Sequence, residues 1–209
     1  MILDVLPVGM LEENCYLVGE PDNLLVIDPG AEGEKILAHI KNKGYKALYV
    51  VLTHCHYDHI GAVADIMEAT GAKLVMGTKE KDNYFNDNVT LSGHFGGTIK
   101  KCEPDVLLSE GDVLVAGKYQ FNILETPGHT NGSICLLGEN SLFSGDTLFY
   151  QTIGRADFPT GDLKTLIHSV KEKLFTLDES VKVYSGHGPV TTIGYEKEHN
   201  EVYAWKRFC

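Results

Sequence analysis

The chain has 209 residues, 43% hydrophobic and 22% charged, with 22 Gly against 7 Pro, a globular profile with many tight turns that excludes disordered and fibrous architectures. Its formal net charge of −11, from 18 basic and 29 acidic residues, comes without any Lys/Arg stripe, so nucleic acid is not an expected partner. No stretch is apolar enough to span a bilayer, the first six residues lack the pattern of a secretory signal, and Cys15, Cys55, Cys102, Cys135 and Cys209 form no CxxC pair, so the expected setting is cytoplasmic, away from a membrane, with reduced cysteines acting as small buried hydrophobes.

In chain order, short apolar or alternating runs at 14–18 and 24–28 predict strands. Ile36, Leu37 and Ile40 then fall at helical spacing before Gly44, the usual glycine stop. A strand at 47–52 precedes a helix over 60–70 that Gly71 ends, and a strand follows at 73–76. Residues 78–104 break this order: they are rich in Asn, Gly, Lys and Asp and contain Tyr84, Phe85 and Phe95. A segment of that length reads equally as a lid or binding loop and as a variable excursion. Strands resume at 112–115, 119–124, 134–137 and 142–144. Asp162 is the expected N-cap of a third helix, with Leu163, Leu166, Ile167, Val170 and Leu174 as its apolar stripe. A strand at 181–184 and a surface helix over 196–203, bearing His199 and Asn200, complete the reading. Interspersed strands and helices predict a layered α/β protein with one core and a single domain over residues 1–209.

The most informative stretch is Thr53-His54-Cys55-His56-Tyr57-Asp58-His59, directly after the strand at 47–52. Four imidazole or carboxylate groups within six residues suit Zn²⁺ and similar first-row cations, and a loop lets them converge where a strand would alternate them. A polar loop with scattered histidines is the bland alternative, and with nine His in the chain a chance cluster of three is improbable. His129, Asp146 and His187 each sit in a Gly-containing turn after an apolar strand. Singly, each would read as a turn residue. Together they lie where loops at one sheet edge share a crevice.

These residues resemble the metallo-β-lactamase fold hydrolases, and within them the glyoxalase II-like (hydroxyacylglutathione hydrolase-like) branch. The resemblance runs from Asn14-Cys15-Tyr16 and Asp28-Pro29-Gly30 to Gly186-His187-Gly188-Pro189. It implies an αββα sandwich with His54, His56 and His129 on one metal, Asp58, His59 and His187 on the other, and Asp146 bridging both. All seven are then expected to act in catalysis. Two divalent ions follow, Zn foremost, with Fe or Mn also fitting the mixed N and O donors. The implied reaction is hydrolysis of a small-molecule thioester or ester, with S-D-lactoylglutathione as the type substrate and a metal-bridging hydroxide as nucleophile. The bridging Asp speaks against a lactamase. The branch's persulfide dioxygenases, with one iron on the equivalents of His54, His129 and Asp146, are the main alternative; lactone or other ester hydrolysis and a metal-binding scaffold without turnover are further ones.

Asp28 and Asp157 are candidates to orient ligand imidazoles. For Arg155 the preferred reading is a local ion pair with Asp157, with recognition of a substrate carboxylate as the minority one. Cys55, between two ligand positions, is expected to point away and to be structural. Tyr150 and His94 are weaker candidates. The C-terminal helical domain with which larger glyoxalase II enzymes grip glutathione has no counterpart in this sequence, and a homo-oligomer through apolar residues around Trp205 and Phe208 is compatible with it.

Overall fold

The computed structural model describes residues 1–203. Trp205 and Phe208, the expected oligomer contact, lie outside the described residues.

Two six-stranded sheets stack face to face. The first contains β1 (Ile2–Val8), β2 (Glu13–Glu20), β3 (Asn23–Ile27), β4 (Ala47–Leu52), β5 (Lys73–Gly77) and β6 (Val106–Leu108) in sequential order, antiparallel to β3 and parallel beyond it. The second contains β7 (Val113–Ala116), β8 (Tyr119–Glu125), β9 (Ile134–Gly138), β10 (Ser141–Gly145), β11 (Lys182–Ser185) and β12 (Thr191–Thr192), with β10 and β11 parallel and the other neighbours antiparallel. On the outer face of the first sheet lie α1 (Gly33–Lys43), α2 (Tyr57–Ile60) and α3 (Val63–Thr70). After α4 (Lys81–Tyr84), α5 (Leu163–His168) and α6 (Ile193–His199) cover the second sheet.

The strand sequences explain these layers. In β3, Leu25 and Ile27 face the other sheet beside Phe121, Ile123 and Phe143, whereas Leu24 and Val26 face Ile36 of α1 and Ile66 of α3. A strand covered on both faces must be apolar at every position, which is why β3 and β4 read as unbroken runs. The expected αββα sandwich is the observed fold.

Gly44 and Gly71 end α1 and α3 at φ of 68° and 73°, the left-handed conformation that glycine adopts without strain. Asp162 caps α5 by accepting the Thr165 N–H at 2.7 Å. The predicted helix over 60–70 instead begins at Tyr57 and is interrupted at Gly61–Ala62, where both amides turn away to donate to Gly30 and Pro29 carbonyls at 2.9 Å. The predicted surface helix over 196–203 is α6 followed by a tight turn at Glu201–Tyr203. Its Glu196 is fully buried, accepting from Gln151 N–H, Thr191 Oγ1 and Asn200 Nδ2.

Gly30 sits where this packing is tightest. A Cβ there would lie 1.6 Å from the Asp58 carbonyl oxygen, so no side chain fits unless α2 moves. Gly30→Ala is expected to cost about 3 kcal/mol, a fall in Tm of roughly 6–12 °C in a thermal melt.

Candidate metal centre

Four loops, each leaving the C-terminal end of a strand, bring the seven candidate residues together. The loop after β4 carries His54 and His56 and runs into α2, which presents Asp58 and His59. The loops after β8, β10 and β11 carry His129, Asp146 and His187. His129 Nε2 lies 2.8 Å from His56 Nδ1 and 3.2 Å from His54 Nε2. His187 Nε2 lies 3.2 Å and His59 Nε2 3.8 Å from Asp58 Oδ2. Asp146 stands between the groups, Oδ1 at 3.4 Å from His59 Nε2 and Oδ2 at 3.5 Å from His129 Nε2 and 3.8 Å from His187 Nε2. Gly186 lets the approach happen: a Cβ there would come within 2.3 Å of Asp146 Oδ1.

Bonds on the far side of each ring determine what the rings show to the centre. His129 Nδ1–H donates to the Arg155 carbonyl at 2.7 Å, His187 Nδ1–H to the Leu11 carbonyl at 3.1 Å, and His59 Nδ1–H to Asp28 Oδ2 at 3.0 Å. Thr53 Oγ1 donates to Asp28 Oδ2 at 2.6 Å, which leaves its lone pair to accept from His54 Nδ1–H at 3.1 Å. All four rings therefore turn an Nε2 lone pair inward, toward one another and toward two carboxylates. Lone pairs at these separations repel unless positive charge lies between them. His59 Nε2 and Asp146 Oδ1 are buried without a hydrogen-bond partner, as donors awaiting a cation would be. His54, His56 and His129 form one group able to hold a metal ion, and Asp58, His59 and His187 another.

The electrostatics agree. Burial pushes the His54 and His56 imidazoles down, His56 to about 3, and the neighbouring histidines add to it, so both stay neutral and free to coordinate. Burial also pushes His59 down, but Asp146 and Asp58 outweigh it and raise it. The carboxylates thus draw either a proton or a metal ion to His59 Nε2. Burial pushes the Asp146 carboxyl up, and His59, His129 and His187 more than reverse this, holding it ionised.

Asp28 orients His59 as expected, and it also accepts the Thr53 N–H at 2.7 Å. Asp157 does not orient an imidazole: its carboxylate pairs with Arg155 Nε and Nη2, each at 2.7 Å, on the exposed side of the loop. The main-chain carbonyl of Arg155 takes the role instead, and the Arg155 guanidinium lies 4.0 Å above the Phe158 ring. Cys55 packs into the core beneath the helices, away from the centre. Tyr150, His199 and Asn200 belong to a separate cluster around Tyr195 and Glu196, and His94 is exposed.

Three supporting residues are given no role in the sequence reading, because each bonds to a main-chain group that leaves no mark in a sequence. Asn14 straps the turn that carries His187, its Nδ2 donating to the Ser185 and Gly188 carbonyls at 3.1 and 3.0 Å. Tyr16 Oη donates to the same Ser185 carbonyl at 2.6 Å. Glu80, buried in the 78–104 segment, accepts from Cys55 N–H and from Thr130 Oγ1, tying two of the four loops together.

Residues 8–187 match the family profile of the Metallo-beta-lactamase superfamily. The chain belongs to that superfamily. Among its relatives is a protein from Haemophilus influenzae named hydroxyacylglutathione hydrolase GloC, 35% identical over 206 residues, 96% of this chain and 97% of that one. Among solved structures, the B3 metallo-beta-lactamase BLEG-1 superposes with a TM-score of 0.89 at 36% identity, covering 95% of this chain and 98% of that one. TTHA1623 in a di-iron-bound form superposes with a TM-score of 0.85 at 36% identity, covering 94% and 98%. The two stacked sheets with their flanking helices are the architecture of this superfamily, and no helix among the described residues is long and apolar enough to cross a membrane.

Proposed function

We propose that this metallo-hydrolase is a dinuclear thioesterase of the glyoxalase II-like kind. His54, His56 and His129 would hold one divalent cation, Asp58, His59 and His187 the other, and Asp146 would serve both. Zn is the first choice, and the di-iron neighbour keeps Fe in view. The observation that carries the reading is Asp146, whose two oxygens address imidazoles of both groups. Cations held there would supply Lewis acidity toward an acyl oxygen and a water whose pKa is lowered toward about 7.

The chain's own groups favour a thioester. The N–H groups of His54, His59, His129 and His187 point outward to protein acceptors, so these rings have no proton to hand to a leaving group. A thiolate, the base of an acid with pKa about 8.5, departs unprotonated, whereas an amine does not. The thiol of Cys55, pushed up by burial, is no competing nucleophile. The GloC relative supports the same reading.

The test is anaerobic turnover by metal-loaded protein of S-D-lactoylglutathione and simpler thioesters, beside a β-lactam, a lactone and glutathione persulfide. Thioester cleavage without O₂ is expected. Oxygen uptake with the persulfide by a one-iron protein, or turnover of the lactam alone, would overturn the assignment.

A further inference from the structure

A cavity of about 420 Å³ opens directly above the centre. Its floor is made by His56, Asp58, His129, Asp146 and His187, and its walls come from four separate segments: Leu11, Leu91 with Phe95, Phe149, and Phe158. The aromatic rings are set against the site itself. Phe158 meets the His56 ring edge-on at 5.6 Å, Phe149 meets His187 at 6.2 Å, and Phe95 stacks on Tyr57 at 5.7 Å. Phe95 and Leu11 are 65% and 52% exposed, apolar area at the mouth that the fold does not use and an apolar ligand would cover.

Glutathione carries two carboxylates and one ammonium, and the cations around the cavity do not answer two carboxylates. Arg155, the cation on this cavity's wall, is engaged by both oxygens of Asp157. A second cavity of about 490 Å³ continues past Leu11, Tyr57 and Asp58. It is lined by Asp65 and by Glu32, which pairs with Lys35 and accepts the Gly9 N–H, and its Lys100 pairs with Glu68. Two carboxylates would meet cations already engaged by Asp157 and Glu68, whereas an uncharged amide-bearing thiol needs no counter-charge.

We infer that the site selects thioesters of apolar acyl groups on an uncharged thiol, with Phe95, Phe149 and Phe158 as specificity-determining walls. This rests on the thioesterase reading and names its substrate class. Residues 78–104 thereby acquire a purpose, since Leu91 and Phe95 form the wall opposite Phe149 and Phe158.

The experiment compares, on zinc-loaded protein, the acetyl and phenylacetyl thioesters of N-acetylcysteamine with S-phenylacetylglutathione and S-D-lactoylglutathione. The phenylacetyl N-acetylcysteamine ester is expected to exceed both its acetyl counterpart and lactoylglutathione in kcat/KM by about tenfold or more. The exposed Phe95 can be removed without opening the core, and Phe95→Ala should shrink the phenylacetyl-to-acetyl ratio about fivefold, as should Phe158→Ala. Calorimetry on metal-free protein adds a reading independent of turnover: the uncleavable S-phenethyl thioether of N-acetylcysteamine should bind wild type several-fold more tightly than Phe95→Ala. Cleavage of thioesters with lactoylglutathione preferred, or with no dependence on acyl size, would overturn the substrate class and leave the thioesterase reading standing. Failure to cleave any thioester would overturn both.

Discussion

Asp146→Asn is expected to lower turnover about 10³-fold, equivalent to about 4 kcal/mol of transition-state stabilisation, and to lower the bound metal per chain. The exchange preserves volume and removes the one charge that addresses His59, His129 and His187 together. The amide nitrogen would also turn N–H groups toward Nε2 atoms from which the site needs lone pairs. Fold stability should hold, because Asp146 takes part in no hydrogen bond that ties the loops together, and its Oδ1 has no partner. Kinetics with metal analysis of the same preparation checks this. A variant with both full metal content and near-native rate would remove Asp146 from the centre.

Asp28→Asn should combine a 10- to 100-fold loss of metal affinity with a loss of stability. Asp28 accepts three hydrogen bonds, from Thr53 N–H, Thr53 Oγ1 and His59 Nδ1–H, and an amide offers one oxygen where two now accept. At least one buried donor then faces an N–H group, costing about 1–3 kcal/mol. The consequence at the centre is specific: without an acceptor at Nδ1, His59 is free to place its proton on Nε2 and withdraw the lone pair from the metal. Chelator competition and a thermal melt should show both losses together. A variant that melts lower yet binds metal as wild type would make Asp28 a merely structural residue.

The seven candidate residues were legible because each follows a strand-like run and lies within or beside a turn, which puts them at strand ends. Their place at one sheet edge followed from those strand ends, their division between two metals came only from resemblance, and the structure brings neighbouring side chains to within 3.4 Å of one another. Asp157 misled because a carboxylate near a ligand position looks like an orienting group, and a main-chain carbonyl such as that of Arg155 leaves no mark in a sequence. β1 passed unread for a related reason: it is an edge strand that tolerates Pro7 and leaves Val5 exposed, so it lacks the buried alternation that betrays β3 and β4. β6 and β12, at three and two residues, are too short to carry a period. Glu196 shows the reverse: it lies in the helix expected at the surface, yet it is buried and pins α6 from inside.

The centre as a whole stands on the claim that inward-facing lone pairs and carboxylates from four loops are held together by two cations. Metal analysis by mass spectrometry of protein purified without added metal, followed by titration with Zn²⁺ against a chelating indicator, addresses it directly. Saturation at two ions per chain is expected, falling to one or fewer in Asp146→Asn. Saturation of the wild type at a single ion, or no high-affinity binding at all, would contradict it.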